Sequence, residues 1–262
     1  MPLTRRWTDL RKRAASALAL AIPFLFILWY GGIVFDVTIG AVTIILWEEW
    51  AQLCSRGSRL QPSWQQPPSS WPALSRPSPG SVGTPVTPAE SPSSRRLALL
   101  AGLIWIALAA AALVSLRTDP IAGRANVIFV ILLIWATDIG AYTAGRALGG
   151  PKLAPHISPG KTWSGAAGGL LAAVAAGIFV AAAQSPATGL PSAAAIAAAL
   201  SIIGQAGDLL ESLAKRRFGV KDSGHLIPGH GGALDRLDAT LAVLPVAWLL
   251  AEIAGHGVVM WR

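Results

Sequence analysis

Apolar residues run almost unbroken through most of this chain, and polar residues gather in a few short segments between the runs. Seven runs stand out, at about 14–33, 34–54, 97–116, 121–147, 164–184, 189–214 and 236–255. Each approaches or exceeds the ~20 residues that carry a helix across a bilayer. Leu97 to Leu116 holds no charge at all. The pattern predicts an all-α, polytopic transmembrane helical bundle of about seven to eight spans. The second run closes on Trp47-Glu48-Glu49-Trp50, a polar aromatic patch suited to the membrane interface. The sixth is rich in alanine and therefore narrow, which lets neighbouring helices approach closely, and it turns polar from Gly204 onward.

A different composition separates the second and third runs. Ser55 to Ser94 holds nine prolines and many serines. Proline at that density removes helix donors and fixes extended backbone, which predicts an unfolded linker. A proline-rich docking segment is the other reading of the same composition. The organisation expected is a basic N-terminal segment with two spans over 1–54, the linker over 55–96, and a membrane catalytic region over 97–262. The basic start, with Arg5, Arg6, Arg11, Lys12 and Arg13, precedes an apolar run that ends in Trp29-Tyr30-Gly31-Gly32. That ending is no small-residue cleavage site, so the run reads as a retained first span.

Composition agrees with a lipid environment. Of the 262 residues 53% are hydrophobic and 13% charged, about half the charged share of soluble domains. The net charge of +8 would suggest nucleic acid in a soluble protein. Here it follows from the habit of membrane proteins to collect Lys and Arg on the cytoplasmic side, so no nucleic-acid partner is expected. With the N-terminus inside, 18 of the 21 basic residues fall on inner segments, leaving Arg117, Arg124 and Arg262 outside. This arrangement predicts a multi-pass protein of the inner (cytoplasmic) membrane. It also puts two polar, glycine-rich loops, Gly149 to Trp163 and Lys215 to Asp238, on one cytoplasmic face, where they would form an active-site pocket. The single cysteine, Cys54, excludes an intrachain disulfide.

Chemistry concentrates in and beside those loops. Asp138 follows the apolar run of the fourth span. Asp208, Glu211, Ser212 and Lys215 recur at i, i+3, i+4 and i+7 and so share a helix face. Asp235 and Asp238 share another. Ionisable groups at the membrane edge are costly and tend to mark substrate or ion sites. Lone buried carboxylates need compensation, which magnesium or basic side chains supply. Structural pairing with Lys215, Arg216 and Arg236 accounts for one such acid. Five acids beside two lysine-containing loops favour a metal–phosphate site. The runs His230-Gly231-Gly232 and Ser158-Pro159-Gly160-Lys161-Thr162 can bring backbone N–H groups close to phosphate oxygens. The second is no P-loop, because Pro155 stands where that pattern needs glycine. The histidines match no zinc spacing.

The run SLAKRRFGVKDSGHLIPGHGGALDRLD, Ser212 to Asp238, resembles the signature of the phosphatidate cytidylyltransferase (CDP-diacylglycerol synthase) family. The matching fixed residues are Ser212, Lys215, Arg216, Lys221, Asp222, His230, Gly231, Gly232, Asp235, Arg236 and Asp238. Ala214 and Ala233 stand where the family has a larger aliphatic residue. The block from Asp138 to Trp163 is similar to the family's second conserved region. The two blocks lie in the C-terminal half; earlier residues share only the apolar pattern.

The resemblance implies a magnesium-dependent transfer of the cytidylyl group from CTP to phosphatidate, releasing pyrophosphate. It points to Asp208 and Asp235 as metal ligands, with Asp238 as a third, and to Asp208, Asp235, Lys215, Arg216 and Asp222 as catalytic. Ser158, Lys161, Thr162, Ser212, Lys221, His230, Gly231, Gly232 and Arg236 are then expected to bind substrate. A homodimer is left open as the assembly. The competing readings are a CTP-dependent lipid kinase of the dolichol or phytol type, which the full signature disfavours, and an ion-coupled transporter, for which no internal repeat is evident.

Overall fold

The computed structural model describes residues 23–56, 92–184, 189–220, 222–224 and 231–262. Among them the chain is helical almost throughout. Residues 23–30 (α1) lead into α2 (Gly32–Arg56), followed by α3 (Pro92–Thr118) and α4 (Gly123–Leu148). Two short strands, β1 (Lys152–Ala154) and β2 (Ser158–Thr162), precede α5 (Trp163–Gln184), α6 (Leu190–Arg217) and α7 (Leu234–Ala254). Five helices, α3 to α7, are long and apolar enough to cross a membrane. The multi-pass membrane class predicted from the apolar runs is therefore correct. Most of the first predicted span, and 57–91 of the linker, lie outside the described residues. The linker is shorter than expected at both ends, because α2 runs to Arg56 and α3 starts at Pro92.

The first two runs have no polar break between them, yet the helix breaks at Gly31 and Gly32, both with positive φ (69° and 64°). Residues with a Cβ rarely adopt that conformation. The carbonyls exposed at the end of α1 find a partner in Arg117 at the end of α3, whose guanidinium donates to Leu28 O (2.6 Å) and Trp29 O (2.9 Å). Arg124 lies over the Trp29 ring, 5.3 Å from its centroid. Two of the three arginines assigned to the outer side thus meet at one end of the bundle.

Small residues set the spacing of the helices. A Cβ at Gly140 of α4 would stand 2.6 Å from Gly168 O of α5, and one at Gly168 would stand 2.9 Å from Gly140 O. Gly165 and Gly169 are packed as closely, against Ala141 O and Thr137 O. Close backbone approach of this kind is how helices associate where lipid offers no hydrophobic drive. Across α6 and α7, Gly207 lies against Asp238 O.

One backbone defect is repaired by a distant side chain. Pro245 lies inside α7 and has no N–H to give to Leu241 O, four residues earlier. Trp105 of α3 donates its indole N–H to that carbonyl (3.1 Å). An unpaired carbonyl in an apolar environment costs several kcal/mol at most, so the bond between α3 and α7 stabilises both helices.

Candidate active site

The glycine-rich segment after α4 is a hairpin, where the sequence suggested an irregular loop. β1 and β2 pair antiparallel, with Lys152 opposite Thr162 and Ala154 opposite Ser158. Gly149 and Gly150, at positive φ (60° and 103°), turn the chain out of α4 and into it. Thr162 ends the hairpin and caps α5, accepting the Gly165 N–H (3.1 Å) through its hydroxyl. Its buried hydroxyl is thus a helix cap. The hairpin leans on the end of α6, where Arg216 Nε donates to Ile157 O (3.2 Å). Both polar segments therefore share one end of the bundle.

Two lysine-centred clusters form there. In the first, Lys161 of β2 faces Asp208 of α6 at 2.5 Å. In the second, Lys215 lies between Glu211 (2.5 Å), one turn earlier on α6, and Asp235 (2.7 Å), in the first turn of α7. The Glu211 side chain is 1% exposed and that of Asp235 10%. Asp138 of α4 is within electrostatic reach of Asp208, Lys161 and Arg236. Asp238 is within reach of Asp208, Glu211 and Asp138. The predicted acids thus converge, although they come from three helices.

Asp235 organises the segment before α7. Its Oδ1 accepts Lys215, and its carboxylate also accepts the N–H groups of Ser223 (3.1 Å) and Gly232 (3.0 Å). The Gly232 amide, expected to approach a substrate phosphate, donates to Asp235 here. Gly231 has φ +88° and is free of a Cβ where one would stand 3.0 Å from Asp235 Oδ2. Asp222 is exposed, and Ser212 and Ser158 are partly so. Lys221 and His230 lie outside the described residues.

Among the described residues no three acids, histidines or cysteines form a ready-made metal cage. The donor chemistry nevertheless suits a hard cation. Asp138, Asp208, Glu211, Asp235 and Asp238 outnumber the basic groups Lys161, Lys215 and Arg236 around them. Among the described residues Lys215 is the one cation paired with the buried Glu211 carboxylate. Oxygen donors with surplus negative charge match magnesium's preference.

A cavity of about 480 Å³ opens beside the first cluster, lined by Asp138, Lys161 and Asp208 and by Leu133, Ile134, Leu200 and Val243. Leu200 precedes Asp208 by two turns of α6, some 12 Å at 1.5 Å per residue. Polar residues also line it: Thr137 donates to Ser201 Oγ (3.1 Å), and Gln205 donates to the same oxygen (3.3 Å).

Sequence reasoning did not single out one buried acid that bonds to the same segment. Glu49 of α2 was placed in the interfacial belt, yet it is 6% exposed and bonds to the segment before α7. An acid near the end of an apolar helix was the available signal, and its partners, some 180 residues away, carried none.

The profile of the cytidylyltransferase family matches residues 81–254. The phosphatidate cytidylyltransferase of Brucella suis biovar 1 (strain 1330) is 39% identical over 258 residues, covering 94% of each chain. That of Pseudomonas aeruginosa is 44% identical over 164 residues, 62% of this chain and 59% of its own. That of Bacillus subtilis is 43% identical over 153 residues, 57% of this chain and 56% of its own. By full-length similarity as well as by its signature segment, this chain belongs to the phosphatidate cytidylyltransferase family.

Proposed function

We propose that the cleft where α4, α6, α7 and the hairpin meet is where this chain transfers the cytidylyl group of CTP to phosphatidate, giving CDP-diacylglycerol and pyrophosphate. The observation that carries this reading is the pairing of contents in one place. The Lys161–Asp208 cluster, suited to an anionic phosphate, lines a cavity that continues into apolar side chains, and the Lys215 cluster lies about two turns further along the same helix. A lipid with a phosphate head has the same polarity profile.

In the reaction, an oxygen of the phosphatidate phosphate attacks the α-phosphorus of CTP. The bond from that phosphorus to the bridging oxygen breaks, and pyrophosphate leaves with the electron pair. The attacking oxygen is already anionic at neutral pH, so the protein's tasks are alignment and charge stabilisation. Lys161 serves one phosphate group and Lys215, with Arg216, the other. Glu211 and Asp235 grip Lys215 from two sides and fix where its ammonium points. Magnesium would be held by Asp208 and Asp238 with Asp235 as a third donor, supplying positive charge to the phosphates and the leaving group. Asp222 and Arg236 border the site, and Ser212 shares the Asp208 face. The clustering of basic residues supports placing this end at the cytoplasmic face of the inner membrane, where CTP is dissolved.

Purified protein given phosphatidate, magnesium and CTP labelled at the α or the γ phosphorus tests the reading. The α label should enter the lipid and the γ label should leave in pyrophosphate. A γ label entering a lipid alcohol would instead show a CTP-dependent lipid kinase. Absence of lipid labelling by either route would overturn the proposal.

A further inference from the structure

Glu49 lies near the end of α2, almost buried, its carboxylate held by hydrogen bonds from neutral donors. Its Oε1 accepts the N–H of Ala233 (3.0 Å), and its Oε2 accepts the N–H of Leu234 (2.8 Å) and the hydroxyl of Ser223 (3.3 Å). It therefore caps α7 from another helix, at a terminus whose own cap residue, Ala233, has no side-chain acceptor. A carboxylate there also meets the positive end of the helix dipole. Two glycines leave it room. A Cβ at Gly224 would stand 2.5 Å from Oε1, and one at Gly232 would stand 2.6 Å from Oε2.

Ser223 links this cap to the site. Its hydroxyl donates to Glu49 while its N–H donates to Asp235 (3.1 Å). Gly232, next to the capped pair, donates to Asp235 as well (3.0 Å), and Asp235 holds Lys215. A continuous set of hydrogen bonds thus runs from α2 to a lysine of the phosphate-binding cluster.

We propose that Glu49 is a positioning residue for the cytidylyl transfer: by fixing Ser223 and the first turn of α7, it sets the direction in which Asp235 presents Lys215 to a substrate phosphate. The inference rests on the reading of this cleft as the transfer site. A cap acting on stability alone would reduce the amount of folded protein and leave the turnover of each folded molecule unaltered. A positioning group changes the turnover itself.

Both Glu49 oxygens accept backbone N–H groups, so Glu49→Gln sets an amide NH₂ against one of them whichever way it turns. In folded, purified Glu49→Gln enzyme kcat should fall about tenfold or more, while the KM for CTP moves less than about threefold. Glu49→Asp keeps both acceptors on a shorter stem and should recover part of kcat. Ser223→Ala removes the link and leaves both backbone caps. It should lower kcat with the thermal midpoint in detergent little changed, and it decides the matter if Glu49→Gln does not fold. The double variant should lose less than the product of the two single losses, because both act through Asp235. The unaltered enzyme, run alongside with labelled CTP and phosphatidate, separates the two ideas. If it makes no CDP-diacylglycerol, the transfer reading fails. If it does, and the folded variants retain kcat within about twofold or their losses simply multiply, the role of Glu49 is overturned.

Discussion

Lys161 of β2 and Asp208 of α6 stand 2.5 Å apart, nitrogen to oxygen, and this pair closes the hairpin onto the sixth helix. Forty-seven positions separate them in the chain. Among the described residues the buried Lys161 nitrogen has no partner besides Asp208, so on the proposed reading a substrate phosphate would compete with Asp208 for it. Lys161→Ala and Asp208→Asn should each lower kcat/KM at least about tenfold, a loss of ~1.4 kcal/mol of transition-state stabilisation. The double variant should lose less than the product of the two. Steady-state kinetics on the purified proteins checks this, and strictly multiplying losses would show that the two side chains act independently.

Asp235 differs from Asp208 in what else depends on it. It is 10% exposed and accepts Lys215 and two backbone N–H groups, whereas Asp208 is 36% exposed. Asp235→Asn should therefore reduce both turnover and folding stability, the latter by about 1–3 kcal/mol for donors left without an acceptor. Asp208→Asn should reduce turnover with a smaller shift in thermal midpoint. Equal stability losses in the two variants would contradict this account of Asp235.

The seam between α4 and α5 makes a prediction about packing. A side chain at Gly168 meets Gly140 O, while a Cβ at Gly160 meets nothing within 4 Å. Gly168→Val should force the helices apart and cost about 1–3 kcal/mol, read as a lower thermal midpoint in detergent. Gly160→Ala should leave that midpoint unchanged.

At the opposite end, Asp119 accepts the N–H groups of Gly257 (2.6 Å), Ala122 (2.8 Å) and Ile121 (2.9 Å). These bonds, that from Gly257 foremost, hold its carboxyl below the usual carboxylate range. Its stabilising contribution is then fully present above the unfolded-state value of about 4 and is lost as pH falls through the lower folded-state value. The thermal midpoints of the unaltered protein and Asp119→Asn should differ by a constant amount from pH 6 to 8 and converge below about pH 4. A difference that persisted undiminished in acid would rule out the carboxylate as its source.

Orientation has its own check. In a Cys54→Ser background, Gly160→Cys should react with a permeant thiol reagent and resist an impermeant one applied to the outer face of intact cells. Labelling from outside would place the hairpin on the wrong side for dissolved CTP.

The apolar runs located the helices to within a few residues because each run is bounded by breakers that act locally. The predicted 164–184 is the observed Trp163–Gln184, and 121–147 is Gly123–Leu148. The hairpin escaped notice because Pro151, Pro155, Pro159 and Gly160 give it no alternation of apolar and polar residues. Its ends are set by α4 and α5, which pack tightly on each other. The acids and lysines of the site were legible by type and spacing. Their partners were not, since Lys161–Asp208 and Lys215–Asp235 join separate elements. The Gly232 amide illustrates the difference: glycine content suggested a phosphate cradle, and the hydrogen bond goes to Asp235.

The reach of Glu49 also bears on what counts as a separable unit of this enzyme. The matched family region begins at residue 81, and it contains both lysine clusters and all of α7. A fragment cut there would hold each side chain that grips Lys161 or Lys215, yet it would expose the Ala233 and Leu234 amides that α2 now covers. On the role proposed for Glu49, a catalytic module that keeps this cap starts before residue 49, upstream of residue 81, where the match to the family profile begins.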